Sequence, residues 1–218
     1  LTRFPYRGRF SLGVRCLIAI HLAVWGGLAL LHVTGLVRWQ AVVSLLGLTA
    51  TGGESSWQVW RLVSHGFIHP PTPFLPLVSV AILVLMGREL ELLLGTRRFL
   101  LHYALAHLGV GGLLTLLASR ELLWLGSYSG CSGAVLAVVV TFACYCPRDR
   151  FGPLRFFALE AWLLAVLLAV SLLVAAAADA GLGLTEASDL LATTAVAGLC
   201  GALIGLLWAR LHPTLETW

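Results

Sequence analysis

Long apolar runs dominate the chain, and polar residues collect in the breaks between them. A bilayer core of about 30 Å needs roughly 20 apolar residues per helix. Windows of that kind near 14–37, 74–94, 98–118, 130–146, 156–178 and 188–209 predict six transmembrane helices. The fourth is short, so it is expected to start inside the membrane beneath an irregular loop covered by protein. Arg38–Pro73, the Gly95-Thr96-Arg97 turn, Ser119–Ser129, Pro147–Arg155 and Asp179–Ala187 connect the spans. No internal repeat is visible. The predicted fold is an all-α polytopic membrane protein, one bundle over residues 1–218.

Composition sharpens this picture: 59% of the residues are hydrophobic and 11% charged, with a mean hydropathy of +0.94. These values exclude a water-soluble enzyme, a nucleic-acid module and a disordered tail, and they leave the lipid bilayer and other integral membrane proteins as partners. The net charge of +4 then reports topology. With a cytoplasmic N-terminus, Arg3, Arg7, Arg9, Arg15, Arg88, Arg97, Arg98, Arg148, Arg150, Arg155 and Arg210 lie on the cytoplasmic side, and Arg38, Arg61 and Arg120 lie outside. That asymmetry predicts a multi-pass protein, of a bacterial inner membrane, with both termini cytoplasmic. The first external loop carries Trp39, Trp57, Trp60 and Phe67 among glycines and polar residues, as expected of a segment lying in the interface. The chain begins at Leu1 and shows no short apolar segment with a small-residue cleavage site, so a trimmed terminus is expected rather than a signal peptide.

Candidate chemistry is sparse. Cys16, Cys131, Cys144, Cys146 and Cys200 form no CxxC and no Cys/His pattern of metal spacing, which reads as small buried residues and predicts neither metal nor cofactor. Gly130-Cys131-Ser132-Gly133 opens the fourth span and puts a hydroxyl between glycines, where backbone N–H groups can approach a reacting carbonyl. The same residues also read as a packing face, because Gly133 and Ala137 make a small-xxx-small pair.

Further motifs occur in order along the chain. Trp60-Arg61 precedes Ser64-His65-Gly66-Phe67-Ile68-His69; Gly87, Glu91 and Gly95 form GxxxExxxG and lead into Arg98-Phe99; Gly130–Gly133 follows; and Ala197-Gly198 precedes Gly201 and Gly205. In this order the chain resembles the rhomboid intramembrane serine protease superfamily through most of its six-span core. The resemblance implies a six-helix rhomboid bundle, makes Ser132 the counterpart of the nucleophile and pairs Gly130, Gly133 and Ala137 with Gly201 and Gly205 as the helix-packing set.

The departures from the family pattern bear on function. Rhomboids carry the catalytic histidine three residues before the first glycine of the last motif, and here Gly198 stands there. The family's oxyanion histidine and asparagine fall in register on Leu75 and Ser79, after the run Pro70-Pro71-Thr72-Pro73. A serine without a base is a weak nucleophile, and each lost oxyanion donor costs a further factor of about 10²–10³. The resemblance therefore implies a rhomboid-like pseudoprotease that keeps Ser132 as a vestige.

Three readings of function follow. The first is a non-catalytic scaffold, an accessory subunit of a larger respiratory or photosynthetic membrane complex or a binder of transmembrane segments. The second is an active serine protease in which Ser132 uses a relocated base, for which His107, near mid-depth on the third span, is the candidate. The third is a subunit in which intramembrane histidines ligate haem or chlorophyll. His21 and His32 lie three turns apart on one face of the first span, and His102 and His107 lie on the third. Glu91 is expected near the cytoplasmic end of its span, paired with arginine.

Overall fold

A computed structural model describes residues 11–48, 58–69, 74–120, 127–148, 150–151, 159–168 and 187–212. Its helices are α1 (Leu12–Val33), α2 (Trp39–Leu46), α3 (Arg61–Ser64), α4 (Phe74–Ile82), α5 (Arg88–Leu94), α6 (Thr96–Ser119), α7 (Ser132–Tyr145), α8 (161–168) and α9 (Ala187–Leu211). A 3₁₀ turn, His65–Phe67, extends α3, and a π-helical stretch, Leu83–Gly87, joins α4 to α5. The strands β1 (Arg150–Phe151) and β2 (Leu159–Glu160) form a two-residue antiparallel ladder. Leu12–Val33, Thr96–Ser119 and Thr193–Leu211 are long and apolar enough to cross a membrane, and Ser132–Tyr145 is a shorter apolar helix. The chain is thus an all-α membrane protein. Trp57, the run Pro70–Pro73, most of the fifth window and the acidic last loop lie outside the described residues.

Helix α7 sits at the centre. Ten of its residues are buried, including Ala137, Val138, Val139 and Phe142, which its sequence permits because it is apolar on every side. At 14 residues it is roughly 21 Å long, shorter than a bilayer core. Val14 and Leu17 of α1, Leu83 and Met86 of the π stretch, Leu90 of α5 and Phe99 and Tyr103 of α6 complete the core around it. Only the first half of α1 takes part: Gly13, Val14, Leu17 and His21 are its buried residues, and Leu30, Leu31 and Val33 beyond them are exposed.

Two polar devices satisfy helix ends. Helix α2 leaves its last carbonyls without intrahelical partners, and the segment carrying Trp60 and Arg61 supplies donors to them. Trp60 Nε1 donates to Leu45 O at 3.1 Å, Ser64 Oγ to Leu46 O at 2.6 Å and Arg61 to Gly47 O at 2.9 Å and to Ser44 O. A guanidinium is also the charge that a helix C-terminus favours.

At the other end Glu91, 2% exposed, accepts from Gly13 N at 2.8 Å and Val14 N at 2.7 Å, from Thr96 Oγ1 at 2.7 Å and from Ser11 Oγ. Among the described residues its partners are amides and hydroxyls rather than the expected arginine: the carboxylate caps the positive N-terminus of α1 from a distant helix and binds the start of α6 to it. The predicted Gly95-Thr96-Arg97 turn is shorter than expected, because Gly95 alone, at φ 78°, reverses the chain and Thr96 is already helical.

In Glu91→Gln an amide NH₂ would face the N–H donors of Gly13 and Val14. That variant is expected to lose about 2 kcal/mol, read as a lower midpoint of thermal unfolding in detergent; an unchanged midpoint would show that the cap carries no weight.

Candidate functional site

Ser132 is the first residue of α7, half-buried. The segment before it is held in extended form: Leu48 N donates to Tyr128 O at 2.9 Å, Tyr128 N to Leu48 O at 2.7 Å and Gly130 N to His65 O at 2.8 Å. Gly130 reaches φ 123°, a conformation closed to most side chains. These bonds bring Tyr128 over the start of α7, where its phenol oxygen lies 2.9 Å from Ser132 Oγ. Tyr128 is 1% exposed, and burial pushes its phenol above the ordinary tyrosine range. It therefore stays protonated at neutral pH and cannot take a proton from the serine.

All seven histidines lie in the described residues, and each has one ring nitrogen bonded to a group other than Ser132. His21 Nε2 meets Tyr103 Oη at 2.9 Å, His69 Nε2 meets Cys131 Sγ at 3.3 Å, and His102 Nε2 meets Thr141 Oγ1 at 3.1 Å. The others meet backbone carbonyls: His65 that of Arg61 at 2.9 Å, His107 that of Val63 at 2.9 Å, His32 that of Val37 at 3.3 Å and His212 that of Trp208 at 3.2 Å. His107, the candidate base, lies flat against His65 with ring centroids 4.4 Å apart. The close approach is possible because Gly66 lies against the His107 ring and Gly111 against that of His65. Burial, with His107 beside it, holds the His65 imidazole neutral, its pKa lowered to about 3.

Gly198 is buried in α9, on the helix that lies against α7. A Cβ added at Gly133 would come within 2.6 Å of Ala197 O, one at Gly205 would lie 2.6 Å from Ala137 O, and one at Gly201 would collide with Gly133 O. Thr141 adds a polar link between the two helices by donating to Gly205 O at 3.1 Å. Ser79 is half-buried on α4, with its side chain beside the Cys131 thiol; the side chain of Leu75 lies outside the described residues. Gly87 packs on Leu83, Val14 and Phe99.

The pair His21 and His32 does not form one site. His21 is 2% exposed and meets Phe67, His69 and Tyr103, whereas His32 is only half-buried at the end of α1. What the linear sequence does not show is that His21, His69 and Cys131 come together with donor atoms all within 4.8 Å of one another. They are separated by 48 and 62 positions along the chain, so no motif spacing announces them; an imidazole within the apolar stretch of α1 between Arg15 and His32 was the available signal.

Residues 56–213, well over half of the chain, match the family model of the Rhomboid domain. The comparison with curated proteins gave no match.

Because α7 and α9 touch through backbone, Gly201→Leu must push them apart, at a cost of about 1–3 kcal/mol or more. Ser132→Ala removes one hydroxyl and leaves the Tyr128 phenol without its partner, for about 1 kcal/mol. Folded yield in detergent is expected to fall sharply for the first and to stay near wild type for the second; the reverse order would contradict the packing.

Proposed function

The chain belongs to the rhomboid family, and we propose that it serves there as a non-catalytic membrane scaffold, a rhomboid-like pseudoprotease. One observation supports the reading: among the described residues Ser132 Oγ bonds to a protonated phenol and not to a histidine, each of which has one ring nitrogen bonded elsewhere. A triad that loses its base keeps only the rate that substrate binding and the oxyanion hole provide. Gly198 provides no base, and a serine, Ser79, stands where the family register places the oxyanion asparagine, which weakens the second contribution as well.

A scaffold needs a face to offer. The second half of α1, with Leu30, Leu31 and Val33 exposed, and the outer side of α9, with Leu199, Leu203, Leu206 and Leu207 exposed, are apolar surfaces suited to lipid or to a partner's transmembrane helix. On this reading the partner is another integral membrane protein, and the chain is an accessory subunit of a larger respiratory or photosynthetic complex or a binder of transmembrane segments. On the same reading the bundle has six spans in a bacterial inner membrane, with both termini cytoplasmic, which the arginine distribution supports.

Purification from native membranes in mild detergent is expected to yield the chain together with larger membrane subunits in a fixed ratio, unchanged by Ser132→Ala; a monodisperse chain without partners would count against the accessory role. Topology is open to thiol labelling in a background with Cys16 and Cys144 replaced by serine. Glu54→Cys and Arg148→Cys are expected to label from opposite sides of the membrane, and labelling from one side would break the six-span assignment.

A further inference from the structure

We infer that His21, His69 and Cys131 form a buried site for one thiophilic metal ion of closed d-shell, copper(I) or zinc(II). The three residues come from α1, from the segment after α3 and from the residue preceding α7, and they are 2%, 3% and 1% exposed. Their donor atoms lie within 4.8 Å of one another, and His69 Nε2 is 3.3 Å from Cys131 Sγ. Around a tetrahedral or trigonal ion with bonds of about 2.0–2.3 Å, such donors stand roughly 3.3–3.8 Å apart. One pair is thus already at that separation, and the widest must close by about 1 Å.

Two further features point to a ligand. The Nδ1 atom of His21 is buried without a hydrogen-bond partner, which is costly for a polar group inside an apolar bundle. Tyr103 Oη meanwhile holds Nε2 of His21 at 2.9 Å. An imidazole fixed through one nitrogen presents the other in a set orientation, as metal-binding histidines do. Phe67, stacked on His21 with centroids 5.0 Å apart, walls the group off from solvent.

The donor set also selects the ion. A thiolate with two imidazoles suits soft and borderline cations and disfavours magnesium and calcium, which take oxygen ligands. On binding, Cys131 releases its thiol proton to solvent and forms the metal–sulfur bond. With copper(I) the site is then neutral; with zinc(II) it keeps one positive charge, which a buried site tolerates poorly unless a hydroxide joins it. Copper(I) is therefore the ion expected to be held more tightly. The bound ion would staple the inner half of α1 to the start of α7, independently of any chemistry at Ser132.

The test uses the full chain with Cys16 and Cys144 replaced by serine, purified in detergent from cells grown with added copper or added zinc, desalted, and analysed for metal by mass spectrometry. About one copper per chain is expected, with at least a tenfold loss in Cys131→Ser and in His69→Gln and no loss in Ser132→Ala, His102→Gln or Cys200→Ser. Because the ligand variants remove buried groups and can fail to fold, the unmodified ligand set supplies a second readout: copper should raise the midpoint of thermal unfolding of the parent protein and of Ser132→Ala, and a copper chelator should cancel the rise. Absence of both metals, equal metal in Cys131→Ser or a midpoint that copper does not move would overturn the site. Retention of zinc and not copper would overturn the charge-balance choice of ion.

Discussion

The backbone contact between α7 and α9 is the constraint on which the rest depends. Gly133 and Gly201 have no room for a side chain between them, and Gly205 abuts Ala137. Without a hydrophobic force to drive helices together in lipid, close approach of small residues with dispersion and polar contacts must do so. This contact seats α7 in the middle of the bundle, with its first residue, Ser132, half-buried at the end of the helix. Among the described residues, Tyr128 reaches Ser132 from a segment tied to that end by its bridge to Leu48 and by the bond from Gly130 to His65. The Tyr128 phenol is thereby held in contact with the Ser132 hydroxyl.

Polar groups elsewhere follow one rule, that backbone atoms deprived of water must find partners within the protein. Trp60, Arg61 and Ser64 serve the carbonyl end of α2, and Glu91 serves the amide end of α1. The family motifs that contain these residues are in this chain devices for closing helix ends, and they need no catalytic role to explain them. His65 and His107, stacked and each bonded to a carbonyl, belong to the same class.

Much of the helical pattern was legible in the sequence because apolar windows of bilayer length have few other meanings. The windows at 98–118 and 188–209 meet Thr96–Ser119 and Thr193–Leu211, and the brevity of the fourth agrees with the 14 residues of α7. The N–H partners of Glu91 were not legible because reasoning from charge looks for an opposite charge, whereas the N-terminus of α1 offers partial charges and N–H donors that no sequence pattern displays. The meeting of His21, His69 and Cys131 was invisible for a related reason. Its members are brought together by three elements, and spacing rules detect only ligands that share a helix or a loop.

The central claim is that Ser132 lacks a base. A serine-directed fluorophosphonate applied to the folded protein in detergent tests it most directly, with Ser132→Ala and an active serine hydrolase as controls. The structure predicts no labelling above that of Ser132→Ala, because the hydroxyl faces a phenol that cannot accept its proton. Stoichiometric labelling that disappears in Ser132→Ala would contradict it and restore the chain to the proteases.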